Sequence, residues 1–470
     1  MLSELLNVLP SVVRLHADEC DNRFPASCWD TACEGHEAAP STLGPMTLAA
    51  TFLGGAKSRL LPPSVPFRFF AAAAIFHVLL WLVLLLAAGN ATGFAGGLGP
   101  VLAAVHLLTL GVLTTTAIGA AAQILPVATR HAVVTVWPVK LVFWLTVPGM
   151  MVLISGMYAA QTHVLLTGAG ATTAGLVLFA WLMADNLRRA GSPPVVAAHG
   201  WAALASLIGL ASLGIALAFN YQFGILSNHA AVALAHMVLG GFGFMGLLVL
   251  GFSHILVPMF ALASAPAKRP SLATFAAAVA ALALGTFGAL AGSRVILTSS
   301  ALIGLVATGG YLWLMYRVLA TGMRKRLGLS FVLVRAAWIM LPITLLAGLA
   351  ALYGLAGDHG STLFGFLLLF GWLLTFLFGI LQRILPFLAS MFVTPPAKGG
   401  TAIVSQLAGA AQLKLHAVCH ALAVAGLAVA IVTDNAVIAR AGSAVGLIGA
   451  IAFAWFTVDV IRRMLPGKQS

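Results

Sequence analysis

Three apolar segments of this chain share one pattern of polar positions. Residues 106–126 begin with the letters HLLTLG and end with QILP, and residues 236–258 begin with HMVLG and end with HILVP. Residues 364–386 end with QRILP but have phenylalanine in place of the early histidine. Polar side chains are costly in such apolar segments and usually serve a function. Their recurrence predicts an internally repeated membrane protein.

Composition points to the same class, because 61% of the residues are apolar and 7% are charged. A run of about twenty apolar residues spans the hydrocarbon core of a bilayer. We therefore predict an all-α polytopic protein with about twelve transmembrane helices. They lie near residues 68–90, 97–126, 132–158, 161–187, 199–224, 228–262, 271–292, 295–320, 330–356, 361–388, 411–433 and 436–461.

Basic residues predict the orientation of these helices. With the N-terminus inside, only Arg294 and Arg440 of the 24 lysines and arginines lie on the outer side. This bias follows the positive-inside rule, so we expect both termini in the cytoplasm. The marked helices are the second, sixth and tenth, which predicts three pseudo-repeated units of four helices. The basic residues border spans and form no compact groove, so we predict no nucleic-acid partner.

We divide the chain into a cytoplasmic segment 1–67, a twelve-helix domain 68–464 and a short cytoplasmic tail 465–470. Residues 1–20 lack the basic start and apolar core of a cleavable signal peptide. Residues 2–15 are predicted to form an amphipathic helix, and residues 38–67 to form a linker. Between them lie four candidate ligands whose spacing matches no standard zinc or iron–sulfur motif: Cys20, Cys28, Cys33 and His36.

The outer half of the membrane domain holds His106 and His236. On three helices around a common axis, these two histidines share a depth. Two neutral imidazoles from different helices are what a six-coordinate haem iron requires. The alternative is that each histidine bonds a hydroxyl or carbonyl of a neighbouring helix. Both interpretations stay open at this point.

The inner half holds Gln123, His254 and Gln382, and the eleventh helix adds His416 and His420. The last two are four residues apart and share one helix face. With His254 they form a candidate copper or iron site or a proton relay. A polar belt at the membrane boundary is the alternative. His77 has no partner in the sequence. Five histidines lie at span ends, and most of them are expected to be interfacial: His131, His163, His199, His229 and His359.

The architecture resembles that of the haem–copper oxidase superfamily. The letters PFRFF at 66–70, the segment 106–126, and the segment from His236 to VPMF at 257–260 are similar to NnrS-type proteins, over about residues 66–390. Those are bacterial inner-membrane proteins associated with nitric oxide stress and denitrification and described as containing haem and copper. The resemblance implies that His106 and His236 ligate haem b. It also implies copper as a second cofactor.

Two departures from the oxidase pattern matter. An oxidase needs adjacent histidines on the seventh helix and a His-x-His on the tenth, and neither 271–292 nor 361–388 contains histidine. The usual oxygen-reducing centre is therefore not expected. No acidic residue lies deep in any predicted span, so a carboxylate proton channel is not expected either.

Three functions remain. The first is an NnrS-type haem or haem–copper protein acting in nitric oxide tolerance or redox chemistry. The second is a degenerate quinol-linked oxidase or nitric oxide reductase subunit, with a quinol or a c-type cytochrome as electron donor. The third is a transporter of copper or a small solute along a histidine-lined path.

Overall fold

The computed structural model describes residues 60–129, 131, 135–190, 194–392 and 409–464. Twelve helices in this part of the chain are long and apolar enough to cross a membrane, so the predicted all-α polytopic class is confirmed. They are α1 Ser64–Leu86, α2 Pro100–Thr129, α3 Trp137–Tyr158, α4 Thr162–Arg188, α5 Pro194–Phe223, α6 His229–Ala261, α7 Lys268–Ala291, α8 Arg294–Thr321, α9 Gly328–Leu352, α10 Gly360–Phe392, α11 Ala410–Thr433 and α12 Ala436–Met464. A short helix, Ala88–Ala91, follows α1.

Most of the N-terminal segment lies outside the described residues, and so do Cys20, Cys28, Cys33, His36 and the tail 465–470. The domain boundaries at 67 and 464 and the cytoplasmic placement of both termini stay predictions. The membrane side at which α1 begins is called the first face below, and the opposite side is called the second face.

Helices α2, α6 and α10 meet at the centre of the molecule. The buried share of the most apolar window is 83% in α10 and 17% in α8, so α10 is central and α8 is peripheral. Peripheral helices carry exposed apolar side chains such as Val306 (72% exposed) and Trp181 (57%). Exposure of such apolar side chains carries no free-energy penalty when they face the hydrocarbon chains of lipid.

The three central helices contact one another through eight-residue π-helical segments, Leu107–Thr114, Leu239–Gly246 and Leu367–Leu374. Such segments are rare and often lie at functional sites. When positions are counted from the first residue of each π-helical segment, the three helices share a glycine at the fifth position, a glycine at the thirteenth and a proline at the twentieth. These are Gly111, Gly243 and Gly371, then Gly119, Gly251 and Gly379, then Pro126, Pro258 and Pro386.

The shared glycine at the thirteenth position lets the preceding helix of the chain approach each central helix closely. A Cβ atom on Gly119 would lie 2.8 Å from Phe69 Cβ of α1, and one on Gly251 would lie 2.7 Å from His199 Cβ of α5. On Gly379 it would lie 2.8 Å from the Ser330 carbonyl oxygen of α9. The three central helices are thus packed in one manner, which an internal repeat predicts. The grouping of all twelve helices into four-helix units stays a prediction.

Candidate functional site

His106 and His236, here called the 106/236 pair, lie on two of the central helices near the second face. Each is six or seven residues from the start of its helix, or about 10 Å at 1.5 Å per residue. Both side chains are half-buried. The π-helical segments that directly follow these two histidines contact each other. Their similar depth agrees with the sequence prediction.

Backbone carbonyl groups hold both rings of the 106/236 pair. His106 Nδ1 lies 3.0 Å from the Leu102 oxygen, and His236 Nδ1 lies 3.0 Å from the Leu210 oxygen of α5. A carbonyl oxygen only accepts, so each Nδ1 carries the proton and donates it. In a neutral imidazole, Nε2 then keeps its lone pair. Each ring therefore presents a nitrogen that is able to bind a metal. The ring of His236 packs closely against Gly214 of α5, because a Cβ atom at that glycine would lie 3.0 Å from His236 Cε1.

A second pair, His199 of α5 and His254 of α6, lies toward the first face and is called the 199/254 pair. The ring centres are 5.4 Å apart. His199 lies near the end of its span and is only 3% exposed. Gly251 lets α5 approach α6 closely, so the ring is enclosed between these helices and Phe275 of α7.

The third group, the 77/416/420 cluster, joins α1 to α11 beside α10. The ring centres of His77 and His416 are 6.0 Å apart, and those of His416 and His420 are 5.8 Å apart. All three side chains are at most 3% exposed. Phe378 packs against all three rings.

Side chains hold the rings of this cluster. Trp81 Nε1 donates to His77 Nε2 over 2.9 Å, and Gln382 Nε2 lies 3.3 Å from His416 Nδ1. Thr375 Oγ1 donates to the Phe370 oxygen and lies 2.8 Å from His420 Nε2, so that nitrogen donates to the hydroxyl. The Trp81 bond fixes His77 with its proton on Nδ1. With Nδ1 protonated and Nε2 occupied by the Trp81 bond, His77 has no free lone pair with which to bind a metal.

The structure does not bring His254 together with His416 and His420. At the depth of His254, α6 packs against α5, while α11 packs against α10 and α12. Within the described ranges, no group of three or more histidine, cysteine or acidic side chains is arranged to hold a metal ion. The proposed three-histidine grouping is corrected to a pair and a separate cluster.

Several buried polar atoms in these sites have no hydrogen-bond partner. They are His254 Nε2, His77 Nδ1, His416 Nε2, His420 Nδ1, Gln123 Nε2 and Gln382 Oε1. Buried polar groups are nearly always satisfied, and exceptions often mark a place for water or an ion. The sequence predicted a polar belt at this level, and the structure divides it into distinct environments.

A cavity of about 410 Å³ lies between α6, α7, α8, α9 and α10. Its lining is mainly apolar and includes Arg294, Tyr311 and Trp372. None of the lining residues is histidine, cysteine or an acid. Tyr311 is fully engaged, because its hydroxyl donates to Ser253 and accepts from Trp338.

Sequence reasoning missed the partners His199 and His77, and it missed Trp81 and Thr375. One signal was available. Gly251 lies seven residues before Pro258, as Gly119 and Gly379 lie seven before their prolines. That spacing marks the crossing of the preceding helix, on which His199 lies.

No protein-family model matches the chain, and no curated relative matches it. Among the solved structures that match is a chain of a heme-copper terminal oxidase dimer, with a TM-score of 0.59 and 11% sequence identity. The alignment covers 87% of this chain and 86% of that chain. At this identity the likeness concerns the fold: the chain is a multi-pass membrane protein with a fold like that of a haem–copper oxidase.

Proposed function

We propose that this chain is an NnrS-type haem protein of the bacterial inner membrane, in which His106 and His236 ligate one haem b. Its role is nitric-oxide-linked redox chemistry or tolerance. The observation that carries the proposal is the 106/236 pair. Both Nδ1 atoms donate to backbone carbonyls, and both Nε2 lone pairs remain available on different central helices.

The donor set fits a haem. Metal-ligating histidines usually donate their other nitrogen to a carbonyl or carboxylate, which fixes the tautomer and the ring orientation. Both rings of the 106/236 pair meet this condition. A haem held by these two histidines would supply one-electron transfer. The residues of this chain would hold it, exclude bulk water and set its potential.

The electron donor is proposed to be a quinol or a c-type cytochrome. The degenerate oxidase or reductase alternative needs a second ligated metal centre. The 410 Å³ cavity between α6 and α10 has room for a cofactor but no imidazole, thiolate or carboxylate in its lining. This lining favours the tolerance function over oxygen or nitric oxide reduction at such a centre. Copper is proposed as a second cofactor at another place.

The test is the absorption spectrum of the purified full-length protein, oxidised and reduced. We expect a Soret band that sharpens on reduction, with resolved α and β bands of a six-coordinate haem b. The variants His106→Ala and His236→Ala should each lose or shift these bands. The matched control is His163→Ala, because His163 is exposed at the start of α4.

A colourless protein that takes up no added haemin would overturn the haem proposal. Metal-dependent uptake of a solute into vesicles by such a protein would instead support the transporter. Bands that persist in both histidine variants would show that the ligands lie elsewhere. Reduction of the bound haem by a quinol analogue or by a reduced c-type cytochrome then identifies the class of donor.

A further inference from the structure

The cavity between α6, α7, α8, α9 and α10 extends from the second face deep into the interior. On α8 its lining begins at Arg294, the first residue of that helix, and ends at Tyr311. Measured along the helix, these two positions are about 25 Å apart at 1.5 Å per residue. A rounded cavity of the same 410 Å³ would be much shorter than this. The cavity is therefore long and narrow, and its shape suits an extended chain.

The deep part of the cavity suits a hydrocarbon. Its lining consists mainly of leucine, alanine and glycine. Two hydroxyl groups of the lining are already bonded within the protein: Ser300 donates to the Ala281 oxygen, and Tyr311 is bonded to Ser253 and Trp338. Apolar cavities exclude water and accept apolar guests, so an alkyl chain can enter without breaking a hydrogen bond.

The mouth of the cavity at the second face is positively charged. Arg294 is the only charged residue among the described residues that line the cavity, and Ser361 at the start of α10 adds an exposed hydroxyl. The ion pairs that the described residues form do not include Arg294. A guanidinium binds a carboxylate through two parallel hydrogen bonds. The mouth therefore suits the anionic head group of an amphiphile whose chain extends inward.

We propose that this cavity binds the anion of one long-chain fatty acid, with the carboxylate at Arg294 and the chain reaching toward Tyr311. One leaflet of a bilayer has a hydrocarbon layer of about 15 Å, so the cavity is deep enough for an acyl chain of ordinary membrane length. Trp372, in the π-helical segment of α10, is part of the lining, so a bound chain packs against a central helix. The proposal goes beyond the proposed function and requires neither haem nor copper.

The experiment uses palmitate with a photoreactive diazirine near the end of its chain, added to the purified full-length protein. Peptide mass spectrometry then locates the crosslinks. We expect them at deep lining residues such as Thr308 of α8 and Leu341 of α9, and unlabelled palmitate should prevent them. Crosslinks confined to outward-facing residues such as Val306, which is 72% exposed, would overturn the proposal.

Arg294→Gln tests the head group. The affinity for palmitate should fall about two- to fivefold, the range of an exposed ion pair, whereas the affinity for the neutral hexadecanol should stay the same. Arg440→Gln is the matched control, because Arg440 is exposed near the same face but does not line the cavity. An unchanged affinity of Arg294→Gln for palmitate, or an equal loss for both ligands, would overturn the proposal.

Gly304→Leu tests the path of the chain. Gly304 lines the cavity about 15 Å along α8 from Arg294, and a Cβ atom there makes only ordinary contacts with Leu345 and Ala281. The larger side chain should block the deep part and lower palmitate affinity more than about tenfold, since each methylene withdrawn costs about fourfold. The short octanoate should bind as before, which a misfolded protein would not show. Gly309→Leu is the control, since Gly309 faces open space outside the lining; an equal effect of the two variants would contradict the assigned path.

Competition distinguishes the fatty acid from other occupants. Phosphatidylglycerol that displaces the probe as well as palmitate does would assign the cavity to a phospholipid chain, and a short-chain quinone that displaces it better would assign the cavity to a quinone. Either result overturns the proposal. The Soret band of the same samples reports haem separately, so this proposal and the proposed function fail independently.

Discussion

The two histidine pairs and the 77/416/420 cluster differ in what holds their rings. Backbone carbonyls accept from Nδ1 in both pairs, and this leaves Nε2 with a lone pair on every ring. In the cluster, His77 has the same tautomer, with its proton on Nδ1, but the Trp81 indole donates to its Nε2 and occupies that lone pair. All three groups consist of histidines, so the hydrogen-bond partner of each ring distinguishes their chemistry. The pairs are suited to binding metals, and the cluster is suited to a hydrogen-bonded network.

The largest expected effect comes from overpacking the cluster through Gly446→Ala. A Cβ atom at this position of α12 would overlap ring carbons of Trp81, which is 1% exposed and enclosed. Overpacking of a tight core costs about 1–3 kcal/mol or more. We expect the midpoint of thermal denaturation in detergent to fall by several degrees.

The control for this change is Gly309→Ala, since no atom lies within 4 Å of a Cβ placed there. It should leave the midpoint unchanged or raise it slightly, because alanine favours helix more than glycine does. Haem absorption should survive Gly446→Ala in the protein that remains folded. Loss of the haem band at temperatures where the fold persists would mean that the cluster and the 106/236 pair are coupled.

A double-mutant cycle tests whether Trp81 fixes the tautomer of His77. Trp81→Phe removes the N–H donor and leaves His77 Nε2 as a buried acceptor, at a cost of about 1–3 kcal/mol. Trp81→Phe combined with His77→Leu removes both polar partners, so the double variant should be more stable than the sum of the two single changes predicts. Thermal denaturation of the four proteins measures the coupling. Trp144→Phe is the matched control, since Trp144 is 64% exposed. Additive changes in stability for Trp81→Phe and His77→Leu would contradict the hydrogen bond between these two side chains.

The sequence alone was sufficient to predict the membrane spans and to identify the three central helices, because the length of apolar segments and the repeated polar positions are local signals. The depth of His106 and His236 followed from their distance to the helix ends. The 199/254 pair could not be predicted in this way. Its members are 55 positions apart, and their contact depends on which helices are neighbours and how closely Gly251 lets them approach.

The tautomers were also beyond the sequence. Whether a histidine bonds its own helix, as His106 does at Leu102, or a neighbouring helix, as His236 does at Leu210, depends on ring orientation. The π-helical segments were not predicted either, and they change the register between the two ends of each central helix.

A smaller change should weaken the 106/236 pair without unfolding the protein. In Gly214→Ala the added methyl group would lie 3.0 Å from His236 Cε1, so the ring must shift by a few tenths of an ångström. Displacing a fixed ligand lowers metal affinity by about tenfold or more. We expect weaker haem retention and a shifted Soret band, measured by absorption during haem extraction with apomyoglobin. Gly170→Ala has open space around the added Cβ and should behave as wild type; an identical result for the two variants would argue against His236 as a ligand.

The smallest expected effect concerns the hydroxyl that links the cluster to a π-helical segment. Thr375 Oγ1 donates to the Phe370 oxygen and accepts from His420, so Thr375→Val removes two bonds at nearly constant volume. Because His420 loses its acceptor, the cost should be about 1–2 kcal/mol. Thr167→Val removes only an exposed bond within α4 and should cost less than about 0.5 kcal/mol. Copper and haem retention should be equal in both variants. If Thr375→Val lowered copper retention, the cluster would share in metal binding, and the division between carbonyl-held pairs and the side-chain-held cluster would not hold.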